Sequence, residues 1–362
     1  MCRALIFAAQ MVWFGLAIAI PMYDNDRFEG DSCTLADGVT SGTCRRDVDC
    51  DYLKSAPKKD WKRCSFDKNV SIVCCHDKSP SVLQGSPNLL RSGFISERMC
   101  DGFPLFPEAN NHILHGTLAD INDFPYLGAL AFQDENEVTF RCGANLISRE
   151  YVLTAAHCLT VEKPTFVRLG AVRIFDNNDT TDKPVDVGIE KVIMHPNYRK
   201  RPLSNDIALL KLNRTVDEEF LTPACLYTNS TDPAPNVRLS IAGWGTNESI
   251  DSQMSPDLMK AHVTTFERDE CNFTLLQDKT PRNKIQQLNG DQLCALGRNS
   301  TGDNTGDTCV GDSGGPLELA IDRRRYIVGL TSTGKICGTK FPGIYTRVSH
   351  FIDWIESVVW PA

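Results

Sequence analysis

The chain has 362 residues, enough for one large domain with a smaller one beside it. Hydrophobic residues at 41% and charged residues at 23% are ordinary for a folded soluble chain. The formal net charge of -8 at pH 7 offers no basic excess for a nucleic-acid backbone or an anionic membrane, so neither is expected as a partner.

The N-terminus carries the first specific signal. Arg3 precedes an apolar run from Leu5 to Ile20, interrupted by Gln10, and Ala17 and Ala19 supply small residues for a cleavage site. Residues 1–19 therefore read as a secretory signal peptide, and the protein is expected in an extracellular fluid. The chain has 15 cysteines, and removal of Cys2 with the leader leaves 14, an even number suited to a disulfide framework. No cysteine or histidine spacing suggests zinc, and neither a metal nor a cofactor is expected. Seven N-x-S/T sequons fit the same compartment as glycosylation candidates: Asn69, Asn178, Asn213, Asn229, Asn247, Asn272 and Asn299.

Cys33, Cys44, Cys50, Cys64, Cys74 and Cys75 crowd into residues 32–75, a segment too short to bury much core without staples. Six cysteines allow 15 pairings, and spacing alone does not choose among them. Residues 76–112 hold Pro80, Pro87, Pro104 and Pro107 among Ser, Gly and Asn, with little periodicity, and read as a linker. From Ile113 the pattern changes. Short β-branched and apolar runs recur between turn residues: Tyr126–Phe132, Tyr151–Thr154, Phe166–Leu169, Val187–Met194, Ile207–Leu212, Arg238–Ala242 and Tyr326–Thr331. They predict an all-β barrel or sandwich over residues 113–362. Phe351, Ile352, Ile355, Val358 and Val359 recur at helical spacing after Ser349, a plausible N-cap, and predict a C-terminal helix.

Three segments carry chemistry: Thr154-Ala155-Ala156-His157-Cys158, Asn205-Asp206-Ile207-Ala208 and Gly311-Asp312-Ser313-Gly314-Gly315-Pro316. A serine hydroxyl becomes a nucleophile when a base takes its proton, and a neutral imidazole can do this and later protonate the leaving amine. A buried carboxylate fixes the imidazole tautomer and stabilises its cation. Gly311 permits the turn that would aim its N–H, with that of Ser313, at one oxyanion.

On these motifs residues 113–362 resemble the chymotrypsin-like serine proteases. The resemblance implies two six-stranded antiparallel β-barrels with His157, Asp206 and Ser313 as the triad in the cleft between them. It implies an acidic pocket floor at Asp307, where arginine or lysine of a substrate would pair, and pocket walls at Gly334 and Gly343. Ser332, Thr333 and Gly334 match the strand that holds substrate backbone. Pro342 stands where sodium-activated relatives carry tyrosine. Ala171 replaces the first glutamate of the calcium loop, and Asp176, Asp179 and Asp182 read as a solvated cluster. The resemblance also implies disulfides Cys142–Cys158, Cys271–Cys294 and Cys309–Cys337, which leaves Cys100 and Cys225 to tie the linker to the catalytic domain.

His112-Ile113-Leu114-His115-Gly116 resembles the activation site of these zymogens. A cut before Ile113 would free an ammonium to pair with Asp312. His112 departs from the usual arginine or lysine, so self-activation is not expected. The spacing C-x10-C-x5-C-x13-C-x9-C-C resembles a clip domain, which implies the pairs Cys33–Cys74, Cys44–Cys64 and Cys50–Cys75. Clip domains precede trypsin-like domains in arthropod haemolymph and perivitelline cascades. The implied protein is a secreted zymogen cut by an upstream protease, acting after Arg or Lys on a downstream zymogen or pro-cytokine in immune signalling or melanisation, and removed by a serpin. The alternatives are a developmental-patterning or digestive protease, or a clip-domain cofactor that acts as an inactive scaffold.

Overall fold

The computed structural model describes residues 32–34, 41–46, 50, 62–67, 70–76, 92–106, 117–134, 137–175, 184–246, 254–277, 287–298, 304–334, 339 and 341–361. Calls on the leader, on Asn69, Asn178, Asn247 and Asn299, on His112 and Ile113, on Cys337 and on the Asp176–Asp182 cluster lie outside these residues. The chain divides into two compact units, Met1–Leu89 and Leu90–Ala362.

The smaller unit is a four-stranded antiparallel sheet of Ser32–Thr34, Ser41–Arg46, Val70–His76 and Arg63–Asp67, in that order. Among the described residues its cores hold little beyond cystines with Ile72 and Val73. The disulfides are Cys33–Cys74, Cys44–Cys64 and Cys50–Cys75. So small a core depends on these links, each of which typically contributes about 2–4 kcal/mol.

The larger unit holds two six-stranded antiparallel barrels, the architecture the resemblance implies. The first closes in the order Val185–Met194, Ala208–Leu212, Tyr151–Thr154, Glu137–Ser148, Leu127–Asp134, Phe166–Leu169. Leu130, Leu153, Val167, Leu209 and Leu210 are fully enclosed in it, each contributing roughly 1.5–3 kcal/mol by burial. The second runs Pro316–Ile321, Leu239–Gly243, Met259–Thr265, Gln292–Arg298, Gly343–Arg347, Arg324–Thr333 and closes on itself. Its Met259–Thr265 strand buries Ala261, Val263 and Thr265 in alternation, the two-residue period of a half-buried strand.

At the C-terminus a short 3-10 turn, Val348–Phe351, leads into an α-helix over Ile352–Val359. Ser349 is not the N-cap; that place falls to Phe351, with no side-chain cap. The 3-10 turn sets the serine ahead of the α-helix, too early in the chain to cap it.

The segment read as a linker contains an α-helix, Phe94–Asp101. Proline and glycine flank it, but its own residues are ordinary helix formers. Gly93 precedes it at φ 84, where a Cβ would strike Thr228. The helix supplies no cap of its own. The Ser96 N–H donates instead to Glu356 Oε1 of the C-terminal helix at 2.7 Å, which satisfies one of the orphan donors of a helix N-terminus. Glu97 accepts from Thr228 Oγ1 at 2.8 Å, Arg324 donates to the Cys100 carbonyl, and Cys100 bonds Cys225. Phe106 is buried, with its N–H donating to the Arg323 carbonyl at 2.9 Å and the Arg325 guanidinium over its ring. The chain leading to residues 107–116 is thus fastened to the catalytic unit by named contacts.

Candidate active site

His157 lies in the 3-10 turn Ala156–Leu159 that follows the Tyr151–Thr154 strand. The Cys142–Cys158 disulfide staples that turn to the neighbouring strand. Asp206 sits just before the Ala208–Leu212 strand and is 1% exposed. Its carboxylate meets three donors: the His157 backbone N–H at 2.8 Å, His157 Nδ1 at 2.8 Å and Ser332 Oγ at 2.5 Å. A buried carboxylate is tolerable only when so satisfied. The arrangement holds the proton on Nδ1 and leaves Nε2 free to act as a base. Ser332 occupies a register shift between Thr331 and Thr333. The bulge turns its hydroxyl toward Asp206, and Ser332 thereby joins the hydrogen-bond network of Asp206 and His157. Thr346 Oγ1 donates to the Asp206 carbonyl.

Ser313 is held in a tight loop. Gly311 has φ 102 and Gly314 φ 77, a region that a side chain would strain. The Gly143 N–H donates to the Ser313 carbonyl at 2.7 Å, and the Gly314 N–H to the Thr331 carbonyl at 2.7 Å. No hydrogen bond joins Ser313 Oγ to His157 among the described residues. Such contacts are often long without substrate and tighten only in the reacting complex.

The strand Glu137–Ser148 contributes positioning residues that the motif reading missed. Gly143 lies so close to the serine loop that a Cβ there would sit 2.9 Å from Gly315 Cα. Asn145, fully buried, donates Nδ2 to the Gly314 carbonyl at 2.8 Å and to the Leu153 carbonyl at 3.2 Å. The available signal was a glycine and an asparagine inside the apolar run Cys142–Ile147, which marks close backbone approach and a polar group buried for a purpose.

Asp312 is half-buried as a residue, but its carboxylate is enclosed. Oδ1 accepts from the Gly245 N–H at 2.7 Å and Oδ2 from the Cys309 N–H at 2.8 Å. Built Cβ atoms at Gly243 and Gly245 would collide with it. Burial pushes its pKa up to about 6, against the two N–H bonds that pull it down.

Asp307 Oδ1 accepts from the Thr308 N–H at 2.9 Å. Its charge, after burial, helps to raise the pKa of the enclosed Tyr345 phenol. A Cβ on Gly334 would stand 4.0 Å from Gly343 Cα, and one on Gly343 would meet Thr308 Oγ1 at 3.3 Å. The two glycines therefore face one another beside the Asp307–Thr308 segment. Cys309 is disulfide-bonded. Cys271 bonds Cys294 beneath the helix Arg268–Leu276. Cys142, His157 and Cys158 cluster closely enough to suggest a metal, but both sulfurs are engaged in a disulfide and offer no thiolate.

The trypsin family model matches residues 113–355, which contain every element of this site. The chain belongs to the trypsin family of serine proteases. This protease is 39% identical to serine protease Hayan of Drosophila melanogaster over 69% of its own length, spanning 39% of that longer protein. It is 33% identical to CLIP domain-containing serine protease C9 of Anopheles gambiae, covering 88% of this chain and 90% of that one. It is 35% identical to phenoloxidase-activating factor 3 of Holotrichia diomphalia over 91% and 94% of the two chains. With the disulfide-rich sheet ahead of its barrels, this protease is of the clip-domain type.

Among the described residues no helix is long and apolar enough to cross a membrane.

Proposed function

We propose that this protein is a secreted serine endopeptidase zymogen that, once cut between His112 and Ile113, hydrolyses peptide bonds after Arg or Lys in an extracellular cascade. The observation that carries the reading is the buried Asp206 carboxylate shared by His157 and Ser332. His157 Nε2 takes the Ser313 proton as Oγ attacks the carbonyl carbon. The Gly311 and Ser313 N–H groups receive the oxyanion, worth about 100- to 1000-fold per donor. His157 then protonates the leaving amine, and water releases the acyl group by the same steps in reverse order of roles. Ile113, freed by the cut, supplies a cation for Asp312, whose carboxylate meets only backbone N–H groups among the described residues. Relatives named Spaetzle-processing enzyme and phenoloxidase-activating factor support a downstream protein as substrate, a zymogen or pro-cytokine. An upstream protease that accepts histidine before the cut and a serpin complete the partners.

The test uses His112→Arg protein, cut by a trypsin-like activator that is then removed. Peptides ending in Arg, Lys, Phe or Ala are compared, with Ser313→Ala as control. Turnover of the Arg and Lys peptides alone, lost in the control, is the expected result. Asp307→Ser should erase that preference, because a pocket built for a cation rejects it once the carboxylate is gone. Equal turnover of all four peptides would remove the Arg/Lys assignment, and silence after verified cleavage would favour the scaffold reading.

The Cys100–Cys225 bond has a direct consequence. Cleaved protein should run as one species on a non-reducing gel. A double Cys100→Ser, Cys225→Ser variant, denatured without reductant, should release the segment ahead of Ile113. A single band from the cleaved variant would show another covalent link.

A further inference from the structure

The loop after the short strand Cys225–Leu226 carries features that catalysis does not use. Cys225 bonds Cys100, and Thr228 Oγ1 donates to Glu97 Oε1 at 2.8 Å. Tyr227 Oη donates to the Thr231 carbonyl at 3.1 Å. Further on, Asp232 Oδ2 accepts from Arg347 at 2.6 Å and the Pro233 carbonyl accepts from Thr265 Oγ1 at 2.6 Å. The loop is thus held at both ends, while Asn229, Ser230 and Thr231 between them are exposed.

Those three residues form an N-x-T sequon. Asn229 Oδ1 accepts from the Thr231 N–H at 2.9 Å, an Asx turn. Its Nδ2, the atom that would bear a sugar, makes no hydrogen bond among the described residues. The two other described sequons differ. At Asn213 a Cβ built on Gly188 would stand 2.5 Å from Nδ2, so the amide lies against backbone. The Thr215 hydroxyl there is turned to Glu150 Oε1. Asn272 sits within the helix Arg268–Leu276 beside disulfide-bonded Cys271, and its side-chain oxygen accepts from the Leu288 N–H at 2.9 Å.

A second observation lies next to Asn229. Ser230 lines a cleft of roughly 270 Å³ that shares no residue with the triad. Ser92, Ser349, His350 and Asp353 also line it, together with Arg347 and the apolar Ile352. Both terminal nitrogens of Arg347 are spent, one on the Gly290 carbonyl and one on Asp232. A cleft with three serine hydroxyls and an engaged guanidinium suits a neutral polyol better than a phosphate or a sulfate. Its volume has room for one sugar ring, and Ile352 offers a surface for an acetyl methyl group.

We infer that Asn229 is an N-glycosylation site whose first N-acetylhexosamine packs into this cleft. The inference rests on the reading of the chain as secreted, and it selects one site among the described sequons. In the transfer, Nδ2 bonds to the anomeric carbon of a lipid-diphosphate oligosaccharide. The carbon–oxygen bond to the diphosphate breaks, and the amide gives one proton to a base of the transferase. The sugar then lies between the Asn229 loop, the Val348–Phe351 turn and Ser92, two residues ahead of the Phe94–Asp101 helix. It would brace the start of that helix on the catalytic unit beside the Cys100–Cys225 bond.

The experiment uses the full-length chain expressed in a eukaryotic cell line and collected from the medium. Glycopeptide mass spectrometry should find Asn229 modified in most of the protein. Thr231→Ala spoils the acceptor sequence but keeps the backbone N–H on which the Asn229 turn depends, and it should lose one glycan's step in gel mobility. The parent should melt about 2–4 °C above Thr231→Ala. Thr231→Ser should keep both the glycan and the higher melting temperature. In a Ser349→Gln background, whose longer side chain takes the place of the first sugar, Thr231→Ala should no longer move the melt. A bare Asn229 in protein whose other sequons carry glycan overturns the inference and leaves the secreted reading intact. A modified Asn229 with no melting gap, or with a gap that Ser349→Gln leaves unchanged, overturns the packing of the sugar in the cleft. A chain kept inside the cell with every sequon bare would strike at the secreted reading and at this inference with it.

Discussion

Replacing Asp206 with asparagine is expected to lower kcat on an arginyl peptide by about ten-thousand-fold, with KM changed only a few-fold. The size follows from the donor count at this carboxylate. Three groups donate to it: the His157 backbone N–H, His157 Nδ1 and Ser332 Oγ. An ionised carboxylate is acceptor on every side, whereas an amide brings two N–H donors of its own. The substituted side chain would keep the shape and turn an N–H toward one of these donors. The cheapest relief is for His157 to move its proton to Nε2, which leaves no base facing Ser313. The half-buried imidazolium would also lack its counter-charge during turnover. The measurement is steady-state kinetics beside the thermal melt of the same sample. Retained folding with activity within tenfold of the parent would sink the argument. Ser332→Ala should cost less, since the carboxylate then loses one donor and keeps both from His157. A Ser332→Ala loss as deep as that of Asp206→Asn would mean that the hydroxyl does more than orient the carboxylate.

The site was legible to the extent that its chemistry lies in contiguous motifs. His157, Asp206 and Ser313 each sit in a short segment whose neighbours are as informative as the residue itself. The strands found from sequence were those rich in branched aliphatics, such as Tyr151–Thr154 and Phe166–Leu169, whose bounds the structure reproduces. Met259–Thr265 and Gln292–Arg298 escaped because Lys260, His262 and Thr264 or Gln292 and Gly297 interrupt the apolar pattern. Their β structure is imposed by barrel neighbours more than by local preference. The Phe94–Asp101 helix escaped for the same reason in stronger form. Its N–H is satisfied by Glu356 and its Glu97 by Thr228, partners that no local window contains. Asn145 shows the converse. It is visible as an oddity in an apolar run, but its service to the Gly314 carbonyl requires the fold that brings residues 169 positions apart together.

Cleavage before Ile113 is expected to raise the melting temperature of the catalytic unit near pH 7 by roughly 5–10 °C, and by almost nothing near pH 4. The cause is Asp312. Burial lifts its pKa from 3.8 to about 6 in the uncut chain, a shift that corresponds to about 3 kcal/mol between charged and neutral forms. A carboxylate with a raised folded pKa binds its proton more tightly in the native state than in the unfolded one. Its contribution to stability is therefore present below pH 3.8 and is lost as the pH rises through 6. In the uncut protein at neutral pH the enclosed charge has two backbone N–H groups but no cation among the described residues. The new ammonium of Ile113 would supply one and offset that loss. The gap between cut and uncut melting curves should accordingly open between about pH 4 and pH 7, then narrow above about pH 8 as the α-amino group deprotonates. Asp312→Asn should flatten the gap at every pH, because an amide has no charge to repair. A nick unrelated to this pairing could change stability too, but it would not titrate. Calorimetry of both forms from about pH 4 to pH 9 separates the cases: a gap independent of pH, or one that survives Asp312→Asn, would mean that Asp312 is not the acceptor of the new N-terminus.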